Sequence, residues 1–328
     1  MPLDETIDIP SVSLPTISST NQRACPFCGS FDVAEEFEAR ELIVGTRQAY
    51  AYCLCASCGA IYIANSELDL KSLYPDDYLA FGDPGRLGIR RLNDQAVALI
   101  DATRWTKILR KHVPAFTKET RFADVGCGDP SLLRAMAKLG YKNLTGIDPY
   151  VPDRVRTPGI TMLRKPLEDV ANSQEGTEFD VVMFHHSLEH VPDPAAALTA
   201  ASKILALDGV IFVRIPVVNE AWRRYREAWW GICAPQHLSI PSQRSMHVLA
   251  ERIGLVVTDV VYDSTRMQFV VSEAHARGQD RNEAFPSSPL QKVSLTLRTM
   301  HLWLRARRLN ALGRGDQAAF VLRRLGER

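Results

Sequence analysis

From Arg121 onward, short apolar blocks alternate with stretches whose apolar residues recur at three- and four-residue spacing, and glycines mark many of the joins. The blocks at 121–125, 144–148, 160–163, 179–184, 209–215, 255–261 and 267–272 read as strands. Helices fit between them near 131–139, 194–205 and 242–252. Strands that alternate with helices in this way build a mainly parallel sheet covered on both faces. The expected class is therefore α/β, with a seven-stranded, mostly parallel sheet.

The flanking segments read differently. Residues 1–23 carry no periodic pattern and read as a disordered leader, whereas 24–65 form a short cysteine-bearing unit with alternating stretches such as AYCLCASCGAIYIA. A connector follows over 66–120: SLYPDDYLAFGDPG has turn signals at Pro75 and at Asp83-Pro84-Gly85. Next comes a helix at 88–113 with an apolar stripe of Leu92, Val97, Ile100, Trp105, Ile108 and Leu109. The main domain is set at 121–275 and a helical hairpin at 276–328. In that hairpin Leu290, Val293, Leu297, Met300 and Leu304 make one amphipathic face. Gly313 stops the first helix, and Asp316 caps a second one carrying Val321, Leu322 and Leu325.

Composition narrows the function classes. The 328 residues carry 39 Lys+Arg against 38 Asp+Glu, with 46% hydrophobic residues, which describes an ordinary globular chain and gives no support for phosphate-driven nucleic-acid binding. No apolar run approaches the roughly 20 residues of a membrane helix. The N-terminus has acids near its start and no apolar core, so it does not read as a secretory signal, and the expected location is cytoplasmic. From residue 291 onward nine Lys/Arg face two acids, which suits a solvated helix face or a weak contact with an anionic membrane surface.

Five of the seven cysteines lie between Cys25 and Cys58. Cys25-Pro-Phe-Cys28-Gly29 and Cys55-Ala-Ser-Cys58-Gly59 are two C-x-x-C-G knuckles, separated by 26 residues. Each pair can place two thiolates on one tight turn, and two knuckles surround a tetrahedral Zn²⁺ with four sulfurs. Such a site keeps no open position, so the metal is expected to be structural, supplying the free energy that a unit of about 40 residues lacks. Cys53 is the spare thiol and is expected to face the core.

The segment Asp124-Val-Gly126-Cys-Gly128-Asp-Pro130 closes one strand and opens a helix. Its glycines let the backbone approach a ligand, and the helix start presents free N–H groups. A nicotinamide dinucleotide site would want a glycine at Ser131. The carboxylate at Asp124 suits a cationic amino acid better than a pyrophosphate. The next strand, Leu144-Thr-Gly-Ile-Asp148, ends in an acid 20 residues past Gly128, placed to accept the hydroxyls of a ribose.

These motifs, together with Phe179-Asp-Val-Val-Met-Phe, Leu188-Glu189-His190 and Leu207-Asp-Gly-Val-Ile-Phe-Val, resemble the class I S-adenosylmethionine-dependent methyltransferases. The stretch Trp229-Trp-Gly through Pro235-Gln-His237-Leu238, then Met246, Leu249 and Gly254-Leu, is similar to the branch near the ubiquinone-type O-methyltransferases. With the cysteine knuckles in front, the chain also looks like zinc-ribbon methyltransferases that act on sugars. The resemblance covers about 24–275 and implies a Rossmann-like fold and S-adenosylmethionine as cofactor. It places Gly126 and Gly128 at the methionine part, Asp124 near its ammonium, Asp148 at the ribose, Glu168 in the adenine pocket and His185 near the methionine end. It usually has a third glycine where this chain has Pro130. Asp129 as N-cap and Pro130 as first helical residue accommodate that change.

Methyl transfer from a sulfonium needs an aligned nucleophile and a group to take its proton. His190, after the fourth strand, and His237, in Pro235-Gln-His-Leu, are the candidate bases. Related sugar methyltransferases resemble the latter with an acid where Gln236 stands. His186, His112 and His247 are given no role. Tyr74 and Tyr78 suggest a lid, and Arg223, Arg224 and Arg226 beside Trp222, Trp229 and Trp230 suggest a phosphate or sugar contact. The expected activity is methyl transfer to a hydroxyl or carbon of a small, sugar-like acceptor, free or carried on a nucleotide or lipid. The alternative is a non-catalytic binding or scaffold module on the same fold.

Overall fold

The computed structural model describes residues 23–43, 45–64, 89–152, 155, 157–173, 178–280, 283–285, 294, 297 and 299–326. The leader up to residue 22, the tyrosines of the suggested lid (Tyr74 and Tyr78), and Leu290 and Val293 lie outside the described residues.

Seven strands form the main sheet: β4 (Arg121–Val125), β5 (Asn143–Ile147), β6 (Thr161–Leu163), β7 (Phe179–His185), β8 (Leu205–Pro216), β10 (Leu255–Tyr262) and β11 (Gln317–Arg324). Their order is β10-β11-β8-β7-β4-β5-β6. The pairs β4–β5, β5–β6, β4–β7 and β7–β8 are parallel. β11 runs antiparallel to both its neighbours. The chain moves outward from β4 to β6 and then returns to β7 on the other side, so β4 and β7 flank the topological switch point.

Alternate residues of each strand feed two cores. On one face Val125, Ile147, Val182, Phe184, Val213 and Phe320 meet α3 (Leu167–Asn172), α4 (Pro194–Lys203) and α6 (Gln243–Arg252). On the other face Phe122, Leu144, Val181, Met183, Phe212 and Val321 meet α1 (Ile89–Leu109) and α2 (Ser131–Lys138). The helix ends are chemically marked. Asp193 accepts from the N–H groups of Ala195 and Ala196 ahead of Pro194, and Ser242 and Ser245 close a capping box on α6. One cap differs from expectation. Pro130, not Asp129, precedes α2 as its cap residue, and the Asp129 carboxylate pairs with Arg134 instead.

The expected strand at 267–272 is a helix, α7 (Met267–Ala276), and the expected second helix of the C-terminal hairpin is β11. Both segments are buried on nearly every side. Phe269, Val270, Val271 and Ala274 are buried within α7, and every residue from Gln317 to Leu322 is buried within β11. Periodicity alone cannot separate a buried helix from a strand covered on both faces. The strand count therefore stands while the seventh strand comes from the C-terminal region, which is integral to the sheet.

The first arm of the hairpin is helical, α8 (Met300–Ala311), but its buried face is Leu302, Ala306 and Leu309. Leu297, Met300 and Leu304, expected on the packed face, are exposed. α1 likewise buries Ala102, Trp105 and Leu109 while Val97 and Ile100 face solvent.

The cysteine unit is a four-stranded sheet in the order β1 (Val33–Arg40), β2 (Ala49–Cys55), β3 (Ile61–Ile63), β9 (Ser239–Ile240). Its fourth strand belongs to the main domain, between β8 and α6. Phe37, Tyr52, Ile61 and Ile63 pack with Trp222, Trp229, Ile240 and Phe269, so the unit shares a core with that domain.

Because Phe320 is fully buried on β11, between β10 and β8, Phe320→Ala is expected to lower unfolding stability by about 3–5 kcal/mol in urea titrations. A dispensable helical appendage would show almost no change.

Candidate functional site

The turn between β4 and α2 is built from conformations that favour glycine: Gly126 has φ 68° and Gly128 φ 50°. A Cβ on Gly126 would lie 2.6 Å from the Cβ of Ser187, so no larger residue fits there without displacement. Ser187 is fixed in turn by its hydroxyl, which donates to the Val125 carbonyl at 2.5 Å. Asp148, just past β5, latches the turn: Gly128 N–H donates to its Oδ2 at 2.9 Å and Tyr150 N–H to its Oδ1 at 2.8 Å. Burial raises the Asp148 pKa, and those N–H groups pull it back down.

A cavity of about 440 Å³ opens over the ends of β4, β5 and β7. Gly126, Gly128, Asp148, Glu168, His186 and His190 are among its lining residues. Glu168 sits in the first turn of α3, where it forms part of the wall.

Asp124 lies on β4 beneath the glycines, buried and not itself among the cavity's lining residues; its Oδ1 has no hydrogen-bond partner among the described residues. Burial, with the nearby Asp148 carboxylate adding to it, pushes the Asp124 pKa up to about 8. An orphaned acid of this kind fits a cationic group arriving at the turn. The cavity, the open glycine turn and the latched acid also fit an adenosine with a short amino-acid tail.

His185 is not at the cavity. Its Nε2 lies 3.0 Å from Arg214 Nη1, with the Asp101 carboxylate at 4.0 Å, and its ring meets the edge of Trp105. Burial and the Arg214 guanidinium hold its pKa well below the usual histidine value. The next residue, His186, takes its place. Strand alternation explains the exchange: β7 ends at His185, and His186 turns in a left-handed conformation, φ 56°.

The two candidate bases also separate. His190 lines the cavity, and its Nδ1 lies 2.8 Å from the Gln236 carbonyl, which can only accept, so Nε2 keeps the ring's lone pair. His237 stands behind it, ring centroids 4.9 Å apart, and is not among the lining residues. Its Nδ1 is held by the Gly231 carbonyl at 2.8 Å, and burial pushes its pKa down to about 4. His237 is thus buried behind His190 and outside the cavity lining. The acid missing at Gln236 is supplied from elsewhere: the fully buried Glu189 carboxylate lies 4.0 Å from His237 Nε2 and 3.2 Å from His186 Nδ1.

Of the residues suggested for a phosphate or sugar contact, Arg223 and Arg224 on α5 (Glu220–Tyr225) are exposed, whereas Arg226 and the tryptophans make packing contacts. Arg226 pairs with Glu35 over the Trp222 ring and ties β1 to the main domain. The indole N–H groups of Trp229 and Trp230 both donate to the buried Asp316, at 3.0 and 2.9 Å.

In the cysteine unit Cys25, Cys28, Cys55 and Cys58 present sulfurs that all lie within 4.8 Å of one another. The Cys25–Cys58 and Cys28–Cys55 sulfur separations are 3.6 and 3.5 Å. Four sulfurs at Zn–S bond length span tetrahedral edges of about 3.8 Å, so the set fits that ion. Gly29 (φ 78°) and Gly59 (φ 74°) turn the chain back after each knuckle. Cys53 stands outside the cluster, buried as expected, with its thiol pushed up to about 11 by that burial.

Residues 98–260 match the family model of the methyltransferase domain. The ubiquinone biosynthesis O-methyltransferase of Methylococcus capsulatus is 39% identical over 110 residues, 31% of this chain and 45% of that protein. That of Actinobacillus pleuropneumoniae is 31% identical over 140 residues, 39% of this chain and 58% of that protein. The chain therefore spans about half the length of the curated relatives it matches. Among solved structures, mitomycin 7-O-methyltransferase aligns with a TM-score of 0.44 at 15% identity, over 80% of this chain and 62% of that one. The chain carries a class I, S-adenosylmethionine-dependent methyltransferase domain.

Asp124 gives this domain a pH signature. Its raised pKa means that the folded protein holds a proton the unfolded chain releases near pH 4. Stability of the ligand-free protein is expected to fall as pH rises from about 4 through about 8. Asp124→Asn should flatten that slope in urea titrations run across the same range.

Proposed function

We propose that the protein moves a methyl group from S-adenosylmethionine to a hydroxyl of a small acceptor, with the histidine cluster at the cavity taking the proton. The observation that carries this reading is the latched turn: Gly128 N–H on Asp148, above the orphaned Asp124, at the mouth of a cavity large enough for the donor. The donor supplies an electrophilic methyl on sulfur. The chain's part is to hold it, align the acceptor and receive a proton. Asp148 binds the ribose hydroxyls, Asp124 the ammonium, and Gly126 and Gly128 let the backbone lie against the methionine part. Glu168 walls the adenine.

The relatives' names as O-methyltransferases favour oxygen over carbon as the atom methylated. A sugar-like polyol and an aromatic diol both present such a hydroxyl. His190 faces the cavity and His237 braces its loop. The four cysteines hold a structural Zn²⁺, and the thiolate set leaves no position for substrate.

The test is transfer of isotopically labelled methyl from S-adenosylmethionine to a panel of catechols, phenols and sugars, read by mass spectrometry. Calorimetry should show S-adenosylmethionine binding that is lost in Asp148→Ala. Because binding a cation ionises Asp124, complex formation below about pH 8 should release a proton. That release appears as a dependence of the measured heat on buffer ionisation, and is absent in Asp124→Asn. No heat with the donor or its demethylated product, on folded protein, sinks the assignment. Elemental analysis should find about one zinc per chain, lost in Cys55→Ser together with cooperative unfolding of the ribbon.

A further inference from the structure

His186 follows β7 in a backbone conformation that side-chain-bearing residues seldom adopt, φ 56°. Two bonds hold it there. His186 N–H donates to the Arg214 carbonyl at 2.9 Å, and the Ser187 hydroxyl donates to Val125 across the sheet end. The result is an imidazole in the cavity wall whose side chain remains about a third exposed, 32%. Its Nδ1 lies 3.2 Å from Glu189 Oε1. Glu189 itself is fully buried, and its Oε2 has no partner among the described residues.

A carboxylate accepts and cannot donate, so the ring proton belongs on Nδ1 and the lone pair on Nε2, the nitrogen left for the cavity. The groups facing the ring are Glu189 and His190 from the turn after β7, His185 beside it, Arg214 from β8, and Asp263 from the loop after β10. Burial and the Arg214 charge push the His186 pKa down to about 3, so the ring is neutral and ready to accept. A buried acid that orients an imidazole at a ligand cavity, at the cost of an unfavourable backbone angle, marks a chemical rather than a packing role.

We propose that His186, oriented by Glu189, is the group that takes the proton from the acceptor hydroxyl, while His190 beside it holds the acceptor in place. This rests on the methyl-transfer reading above and assigns roles within its histidine cluster. The acceptor oxygen forms a bond to the methyl carbon, the carbon–sulfur bond breaks, and its electron pair stays on sulfur, which becomes a neutral thioether. The hydroxyl proton passes to His186 Nε2, and the imidazolium rests against the Glu189 carboxylate. A methylated oxygen that still carries its proton is far more acidic than an imidazolium, so a weak base in the right place suffices. Glu189 is the positioning residue.

The experiment compares the wild type with His186→Ala, His190→Ala and Glu189→Gln, using labelled S-adenosylmethionine with catechol, 3,4-dihydroxybenzoate and methyl glucoside as acceptors. Binding of S-adenosylhomocysteine reports that each variant is folded. His186→Ala is expected to lower kcat about 10²–10⁴-fold, with product affinity retained and with partial rescue by free imidazole. His190→Ala is expected to act on KM, without rescue. Nitrogen NMR of the wild type with S-adenosylhomocysteine should place the His186 proton on Nδ1, and Glu189→Gln should lower kcat at least about tenfold while weakening that preference. A His186→Ala enzyme within threefold of wild type, or a wild-type ring protonated on Nε2, overturns the proposal. A wild type that binds S-adenosylhomocysteine but methylates none of the three overturns the methyl-transfer reading itself, and this assignment with it.

Discussion

The Gly128 N–H that donates to the Asp148 carboxylate, 2.9 Å away, ties the turn after one strand to the tip of its neighbour. The parallel pairing of β4 with β5 brings the two ends together. The bond forms only because Gly126 and Gly128 fold the backbone back on itself, and because Gly146 on β5 leaves room for Cys127 and Met162 on its open side. A side chain at Gly146 would meet the Met162 and Cys127 sulfurs at under 3 Å. The floor of the cavity is thus a set of absent side chains clamped by one acid. Its hydrogen bonds are inside the protein, so burying that acid costs less than it would alone.

The turn that carries His190 into the cavity wall is linked to the ribbon through one intervening loop. Tyr62 and Ile61 of β3 pair with Ser239 and Ile240, Tyr52 donates its hydroxyl to the His237 carbonyl at 3.0 Å, and the Ser242 hydroxyl donates to the Cys58 carbonyl at 2.6 Å. Leu238 N–H donates to the Glu189 carbonyl at 2.7 Å. The loop that carries Gln236 and His237 is therefore held between the cysteine knuckles on one side and the Glu189–His190 turn on the other.

Most of the sheet was legible because its strands carry short apolar blocks bounded by glycine and proline, and because Asp124, Gly126, Gly128, Asp148 and Glu168 sit at strand ends or helix starts, where position along the chain fixes position in space. The failures share one cause. At 267–272 and 317–322 nearly every side chain is buried, the polar Gln268, Ser272 and Gln317 included, so polarity did not mark a solvent face, and helix and strand were exchanged. The placement of the histidines depends on a similar loss of local signal. Which of His185 and His186 lines the cavity depends on a single residue of register, and the left-handed turn that decides it is held by the contacts of Ser187 and the Arg214 carbonyl. The one local signal was Glu189, three residues past His186, a spacing that lets a short helical turn join them.

The features that rest on local chemistry are legible in the residue order alone: two cysteine knuckles with a glycine after each, a glycine turn closed by an acid on the next strand, and an α/β alternation. Those follow from backbone angles and residue spacing, which act over a few positions. Long-range packing alone places the last strand between β8 and β10, completes the ribbon with β9, and brings Glu189, His186, His190 and His237 together. Each of those contacts joins residues that are remote along the chain or turned by a single residue of register, and their free energy comes from burial and hydrogen bonds that exist only once the sheet has closed.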